Sequence, residues 1–208
     1  MKNLVFRVLL ILAVLALAVK IDEVHSERND VIVKEGSIIF NGIVNTSNVQ
    51  KIEYLYNKTL KKNINYLVLQ SPGGDLADGI ELAKFVMNND IPVYVSSSCS
   101  SACTFAFFSA KHKDMAPDAI IGIHNLSVEP SIDMTQFSMQ EVQLLSRKIA
   151  TNAAGMFILY ANAGIPLSVL SEASTKFGAN AINLTRNDLV SYNILPKQAV
   201  FRTKSKRR

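Results

Sequence analysis

The sequence predicts an α/β fold built on a largely parallel sheet, and three observations carry that reading. Short apolar runs rich in β-branched and aromatic residues alternate with segments of helical periodicity. The order strand, turn, helix recurs, which implies right-handed crossovers between parallel strands. With 208 residues, 49% of them apolar, the chain can bury one sizeable core, and no repeat or low-complexity break marks a second domain.

Residues 31–44 (VIVKEGSIIFNGIV) read as two short strands about Glu35-Gly36. Residues 45–62 fit a helix with Ile52, Leu55, Tyr56 and Leu60 on its apolar face. A buried strand at 64–70 (INYLVLQ) is stopped by Ser71-Pro72-Gly73-Gly74, and residues 76–87 resume helical spacing, with Asp75 in the first turn where its charge suits the helix dipole. A second buried strand at 91–96 (IPVYVS) runs into the small-residue cluster Ser97 to Cys103 and then an apolar helix at 104–110. Ser97 or Ser98 fits the cap of that helix.

The third strand, 120–124 (IIGIH), ends in His124. After a loop at 126–133, residues 134–162 form one or two helices, in which Met139, Val142, Leu145, Ile149 and Ala153 make a core-facing stripe. Residues 155–159 are apolar nearly all round, which suggests burial against another subunit. Leu184-Thr185 precedes a last helix at 186–191, followed by Tyr192-Asn193-Ile194.

Three of these junctions carry chemistry. Adjacent glycines at 73 and 74 leave peptide N–H groups unobstructed at a helix start, where an anion or oxyanion can bind, although a tight connection without a ligand has the same signature. Small residues around a serine in the cluster at 97–103 let a substrate carbonyl reach the hydroxyl, with the following N–H groups facing its oxygen. Neutral imidazole can take a serine proton at working pH, so a strand-end His124 suits a general base. His112, in the polar run 111–114, and His25 read as solvated.

The SPGG turn, the serine inside Ser-Ser-Ala-Cys and the IGIHN strand end resemble the proteolytic subunit of Clp protease and its crotonase-like superfamily. More closely, the pattern is similar to exported Clp-like proteins of bacteria, where a Cys-x-Ser-Ala-Cys segment surrounds the nucleophile. The resemblance spans residues 31–195. It implies a superhelix of ββα units, assembly as a homo-oligomer, and a serine peptidase acting on a peptide or protein. It makes Ser101 the nucleophile, with Ser100 as the register alternative, and His124 the general base. The N–H groups of Gly74 and Ala102 become the oxyanion hole.

The chain departs from the family at the third triad position. No acid stands between Gly178 and Asn183, and Asn180 is the nearest match. An asparagine can orient imidazole but cannot stabilise imidazolium as a carboxylate does. A catalytic lysine, as in related signal peptide peptidases, is the other solution, with Lys148 as a minor candidate, since beside Arg147 it reads first as a surface lysine. A scaffold that kept the fold and lost the acid would also explain Asn180, while an acyl-CoA enzyme would need neither Ser101 nor a leader.

Cys99 and Cys103, the only cysteines, flank Ser101 by two positions on each side. They either form a disulfide that stiffens the nucleophile turn or pack beneath it as buried thiols. They are too few for a zinc site, and no metal or organic cofactor is implied.

The ends of the chain differ from its body. Lys2 and Arg7 precede an apolar stretch at 8–19 with an Ala-Leu-Ala site, so residues 1–19 read as a signal peptide, or as an uncleaved anchor that associates the protein with a membrane. The domain at 20–196 is then exported, to the periplasm or beyond. The tail at 197–208 holds six basic residues and no acid. Without the eight basic residues of the two ends, 14 of the 22 remain against 17 acids, about −3 for the body, which is no footprint for nucleic acid.

Overall fold

The computed structural model describes residues 30–59, 64–126 and 136–198. The expected leader at 1–19, His25, Leu60, the loop after Leu126 and the end of the basic tail lie outside the described residues.

Strands β1 (Asp30–Lys34) and β2 (Ser37–Asn41) form an antiparallel pair, turned by Glu35 and Gly36 at φ of 51° and 72°. Helix α1 (Thr46–Lys58) follows, capped by Asn45, whose side chain accepts from the Asn48 N–H. Two strand–helix units come next. They are β3 (Tyr66–Ser71) with α2 (Leu76–Asn88), and β4 (Val93–Ser100) with α3 (Cys103–Ser109). Short strands β5 (Lys113–Met115) and β6 (Ile120–Ile123) lead to α4 (Met139–Asn162) and α5 (Leu167–Ala173). A 3-10 turn (Gly178–Asn180), β7 (Ile182–Thr185) and α6 (Arg186–Ser191) complete the order.

The sheet runs β1-β2-β3-β4-β6-β7, parallel from β2 to β6, with β5 pairing off the path against β4. One irregularity shapes the site. Leu69 pairs with Val95, yet Ser71 pairs with Cys99, so β4 spends four positions where β3 spends two. Before this bulge β4 pairs with β5, and beyond it with β6. The carboxyl ends of β3, β4 and β6 thereby come together at Ser71, Ser100 and Ile123. Phe40, Leu67, Leu69, Val95 and Ile121 from the sheet pack with Ile52, Leu82 and Phe107 from the helices, all buried.

Several local expectations need correction. Ser97 and Ser98 lie within β4 and cap nothing, because Ser98, Cys99 and Ser100 continue the ladder to Ile120, Ile121 and Gly122. The N-cap of α3 is Ala102, which has no side chain able to cap. Asp75 stands one residue outside α2 as its N-cap, accepting from the Asp78 N–H at 3.0 Å. Part of the polar run 111–114 belongs to β5, where Asp114 is fully buried against Arg186. The stripe on α4 does not enter the core. Met139 is 77% exposed, Leu145 and Ile149 face a cleft, and only Met156 and Tyr160 of α4 are buried. Helix α5 had no expectation in the sequence.

Candidate active site

The cleft lies at the carboxyl ends of the parallel strands, the usual place for a site in an open α/β sheet. It measures about 960 Å³, and Gly74, Ser100, Ser101, His124 and Lys148 all reach it. Sequence positions spread over more than seventy residues therefore share one cleft.

Ser101 stands between the end of β4 and the start of α3. Its φ of 54° is left-handed, a conformation costly for a residue with a Cβ. Four constraints hold it there. The Ser101 N–H donates to the Gly122 carbonyl at 2.9 Å, and the Ser101 carbonyl accepts from the Thr104 N–H at 2.9 Å and from the Thr104 hydroxyl at 2.6 Å. Cys99 and Cys103 are joined by a disulfide across the turn, with their Cα atoms 5.4 Å apart. Of the two alternatives for the cysteines, the disulfide is the one observed. Ser101 Oγ makes no hydrogen bond among the described residues. Ser100, the register alternative, projects its hydroxyl over Gly122 on the neighbouring strand.

The glycine turn is packed directly on the serine. Gly73 has a φ of 103°, and a Cβ there would stand 2.6 Å from the Ser101 Cβ and 2.7 Å from the Ser100 carbonyl oxygen. Gly74 sits at φ 150°, where a Cβ would collide with the Val44 carbonyl. The turn is fixed from the other side, since the Val44 N–H donates to the Gly73 carbonyl at 2.7 Å and the Asp75 N–H to the Val44 carbonyl at 2.8 Å. Those bonds use the groups flanking Gly74 and leave its own N–H without an acceptor among the described residues. The Ala102 N–H is likewise without one, although Ala102 is only 2% exposed. Buried backbone N–H groups are almost always paired, so an unpaired one directly after Ser101 is an exception that marks the turn.

His124 follows the last residue of β6. Its Nδ1 lies 2.6 Å from the carbonyl oxygen of Asn125. A carbonyl only accepts, so Nδ1 is the donor of this bond, and in the neutral ring Nε2 then holds the lone pair that a general base requires. Asn125 is itself anchored. Its N–H donates to the Lys176 carbonyl at 2.9 Å and its side-chain amide to the Ser174 carbonyl at 2.9 Å.

Asn180 makes no hydrogen bond to the His124 ring among the described residues. It is exposed in the 3-10 turn, and its neighbours Gly178, Ala181 and Asn183 line the cleft instead. The group behind His124 is a backbone carbonyl, which leaves no signature in a sequence. Lys148 reaches the cleft from α4 but is exposed and makes no hydrogen bond or ion pair among the described residues. No group of three or more His, Cys, Asp or Glu side chains among the described residues could hold a metal ion.

The Ser101 hydroxyl, the His124 imidazole and Gly74 line one cleft, and the unpaired Ala102 amide belongs to the peptide that follows the serine; such a set can perform acyl transfer. In such a reaction a serine oxygen would attack, an imidazole would take its proton, and amides would receive the oxyanion. Ser101 and His124 are not hydrogen-bonded to each other in this state. Such contacts tighten in the substrate complex.

No family model and no curated protein matches the chain. Among solved structures it is similar to a ClpP1 variant from Listeria monocytogenes, with a TM-score of 0.61 and 15% identity over 77% of this chain and 89% of that one. The chain therefore has a ClpP-like fold.

Proposed function

We propose that this protein is a serine hydrolase, a peptidase exported from the cytoplasm, in which Ser101 attacks the carbonyl of an extended peptide and His124 carries the proton. The observation that bears most weight is the buried, unpaired Ala102 N–H immediately after a serine held in a left-handed turn. Gly74 supplies the second amide. The acyl-enzyme forms as His124 Nε2 takes the hydroxyl proton and returns it to the leaving amine, and water then releases the acyl group by the reverse sequence. Behind the ring, the Asn125 carbonyl sets the tautomer without the charge of a carboxylate, so turnover is modest. The domain works as a homo-oligomer.

The Cys99–Cys103 disulfide supports export, since such bonds persist in oxidising compartments. The missing acid favours one other reading, a Clp-like scaffold that binds peptides without cleaving them. Reaction with a fluorophosphonate probe separates the two. The hydrolase reading expects stoichiometric labelling that disappears in Ser101→Ala and falls strongly in His124→Ala. Wild-type protein that stays unlabelled, or Ser101→Ala that labels as fast as wild type, would rule it out.

A further inference from the structure

The peptide unit between Ser101 and Ala102 carries two groups pointing in opposite directions. One is the Ser101 carbonyl and the other is the Ala102 N–H. Because the unit is planar and trans, whatever fixes the carbonyl also aims the amide. The carbonyl is fixed by Thr104, whose hydroxyl lies 2.6 Å from it. The same hydroxyl lies 2.7 Å from the phenol of Tyr160, on a different helix and 56 positions away.

The directions of these bonds follow from the chemistry. A carbonyl only accepts, so the single Thr104 hydroxyl proton goes to Ser101, and the Tyr160 phenol must donate to the Thr104 oxygen. Burial raises the Tyr160 pKa, so the phenol keeps the proton that it donates. The phenol, Thr104 and the carbonyl form one line of donors, Tyr160 O–H to Thr104 O–H to Ser101 C=O. Tyr160 and Thr104 are both fully buried, and the Tyr160 ring is held among Phe105, Phe108 and Phe157.

A threonine bonded three residues back is ordinary inside a helix. Here the acceptor lies outside the helix, on the left-handed residue that carries the hydroxyl facing the cleft. A hydrogen bond accepted by a peptide oxygen also draws charge from its nitrogen, and bonds in series polarise one another. The chain of donors therefore both aims the Ala102 N–H and strengthens it as a donor.

We propose that Thr104 and Tyr160 are positioning residues for the oxyanion site, acting through the Ser101–Ala102 peptide. This rests on the hydrolase reading of Ser101. It assigns a role to α4 that neither its sequence nor its exposed face announces, because a helix that lines the cleft also fixes, through Tyr160, the peptide that follows Ser101.

The test compares Thr104→Val, Thr104→Ser and Tyr160→Phe in the full chain. Removing an oxyanion donor outright lowers kcat by about 10²–10³. Misaiming one should lower kcat about 30-fold in Thr104→Val and about 5-fold in Tyr160→Phe. KM should be unchanged, affinity for a peptide boronate should weaken in step with kcat, and Thr104→Ser should stay near wild type. The Ala102 amide resonance, read by NMR, should move in Thr104→Val whether or not a substrate is known. Variants that keep wild-type kcat and boronate affinity, or an Ala102 resonance that does not move, would overturn the proposal. So would losses in which kcat, KM and thermal midpoint change together without rescue by serine. A wild type that never labels at Ser101 instead removes the hydrolase reading, and the amide resonance still decides the positioning claim.

Discussion

Opening the Cys99–Cys103 bridge should cost little stability and a large part of the reactivity of Ser101. The two cysteines are 4 positions apart, so the loop they close is short and the chain-entropy contribution is about 2 kcal/mol. Their side chains are fully buried, and the dithiol keeps nearly the same volume, so no large cavity term is added. The site responds differently. Ser101 is held at φ 54°, and a left-handed conformation costs a residue with a Cβ about 1–2 kcal/mol. With the bridge open, that preference is restrained only by the bonds to Gly122 and Thr104. A shift of about 1.4 kcal/mol toward the relaxed turn lowers the competent population about tenfold. The assay is the rate of fluorophosphonate labelling of protein refolded with or without a dithiol reductant, beside urea unfolding of each form. The expected result is a stability loss of about 2 kcal/mol with labelling slowed about tenfold. Labelling at the same rate in both forms would refute the idea that the bridge maintains the serine turn. A reduced form that does not fold would refute the estimate that the bridge is a minor contributor to stability.

Gly73→Ala places a Cβ 2.6 Å from that of Ser101 on a backbone at φ 103°, and overpacking together with strain should cost about 3 kcal/mol and abolish labelling. A variant with wild-type stability and labelling would contradict the close approach of the two turns. Arg186 lies 3.2 Å from Asp114, which has no exposed surface, so Arg186→Met leaves a buried carboxylate without that guanidinium and should lower unfolding free energy by about 3 kcal/mol, measured in urea. A loss under 1 kcal/mol would show that the pair contributes little. Burial lowers the Lys113 pKa from 10.5 to about 8, with its Nζ donating to the Phe108 carbonyl at 2.8 Å. Between those values the unfolded chain binds the extra proton, so stability rises with pH across the window. The unfolding free energy of wild type relative to Lys113→Met should therefore increase from pH 7.5 to pH 10, and a flat or falling difference would contradict the burial of that amine.

Most of the scaffold was legible because the central strands have their own signals. Residues 64–70 and 120–124 are short apolar runs closed by turns, and their length and β-branched content separate them from the helices between. The serine cluster misled because serine favours both caps and turns, whereas here the β4–β6 ladder decided its conformation. The α4 stripe misled for another reason. Helical spacing shows that one face is apolar but not what covers it, and here Leu145 and Ile149 face the cleft. The strand at 113–115 was hidden by charge, since Lys113 is half-buried with its amine on the Phe108 carbonyl and Asp114 is buried beside Arg186.

The site divides in the same way. Ser101, His124 and Gly74 stood out because glycine pairs, small residues around a serine and a strand-end histidine are uncommon side-chain patterns. The support for the His124 ring could not be read, because it is the main-chain oxygen of Asn125 and any residue there would supply one. Thr104 and Tyr160 were invisible as a pair, since only the packing of α3 on α4 makes them neighbours. Asn180 was chosen by its position relative to Leu184 and Thr185, and the 3-10 turn carries it outward instead.

The most direct measurement is a crystal structure of the protein after reaction with a fluorophosphonate. The account predicts phosphorus bonded to Ser101 Oγ, its oxygen about 2.7–3.1 Å from the N–H groups of both Gly74 and Ala102, and His124 Nε2 turned toward the adduct. Phosphorus on another residue, or an adduct oxygen facing solvent with both amides unengaged, would contradict it.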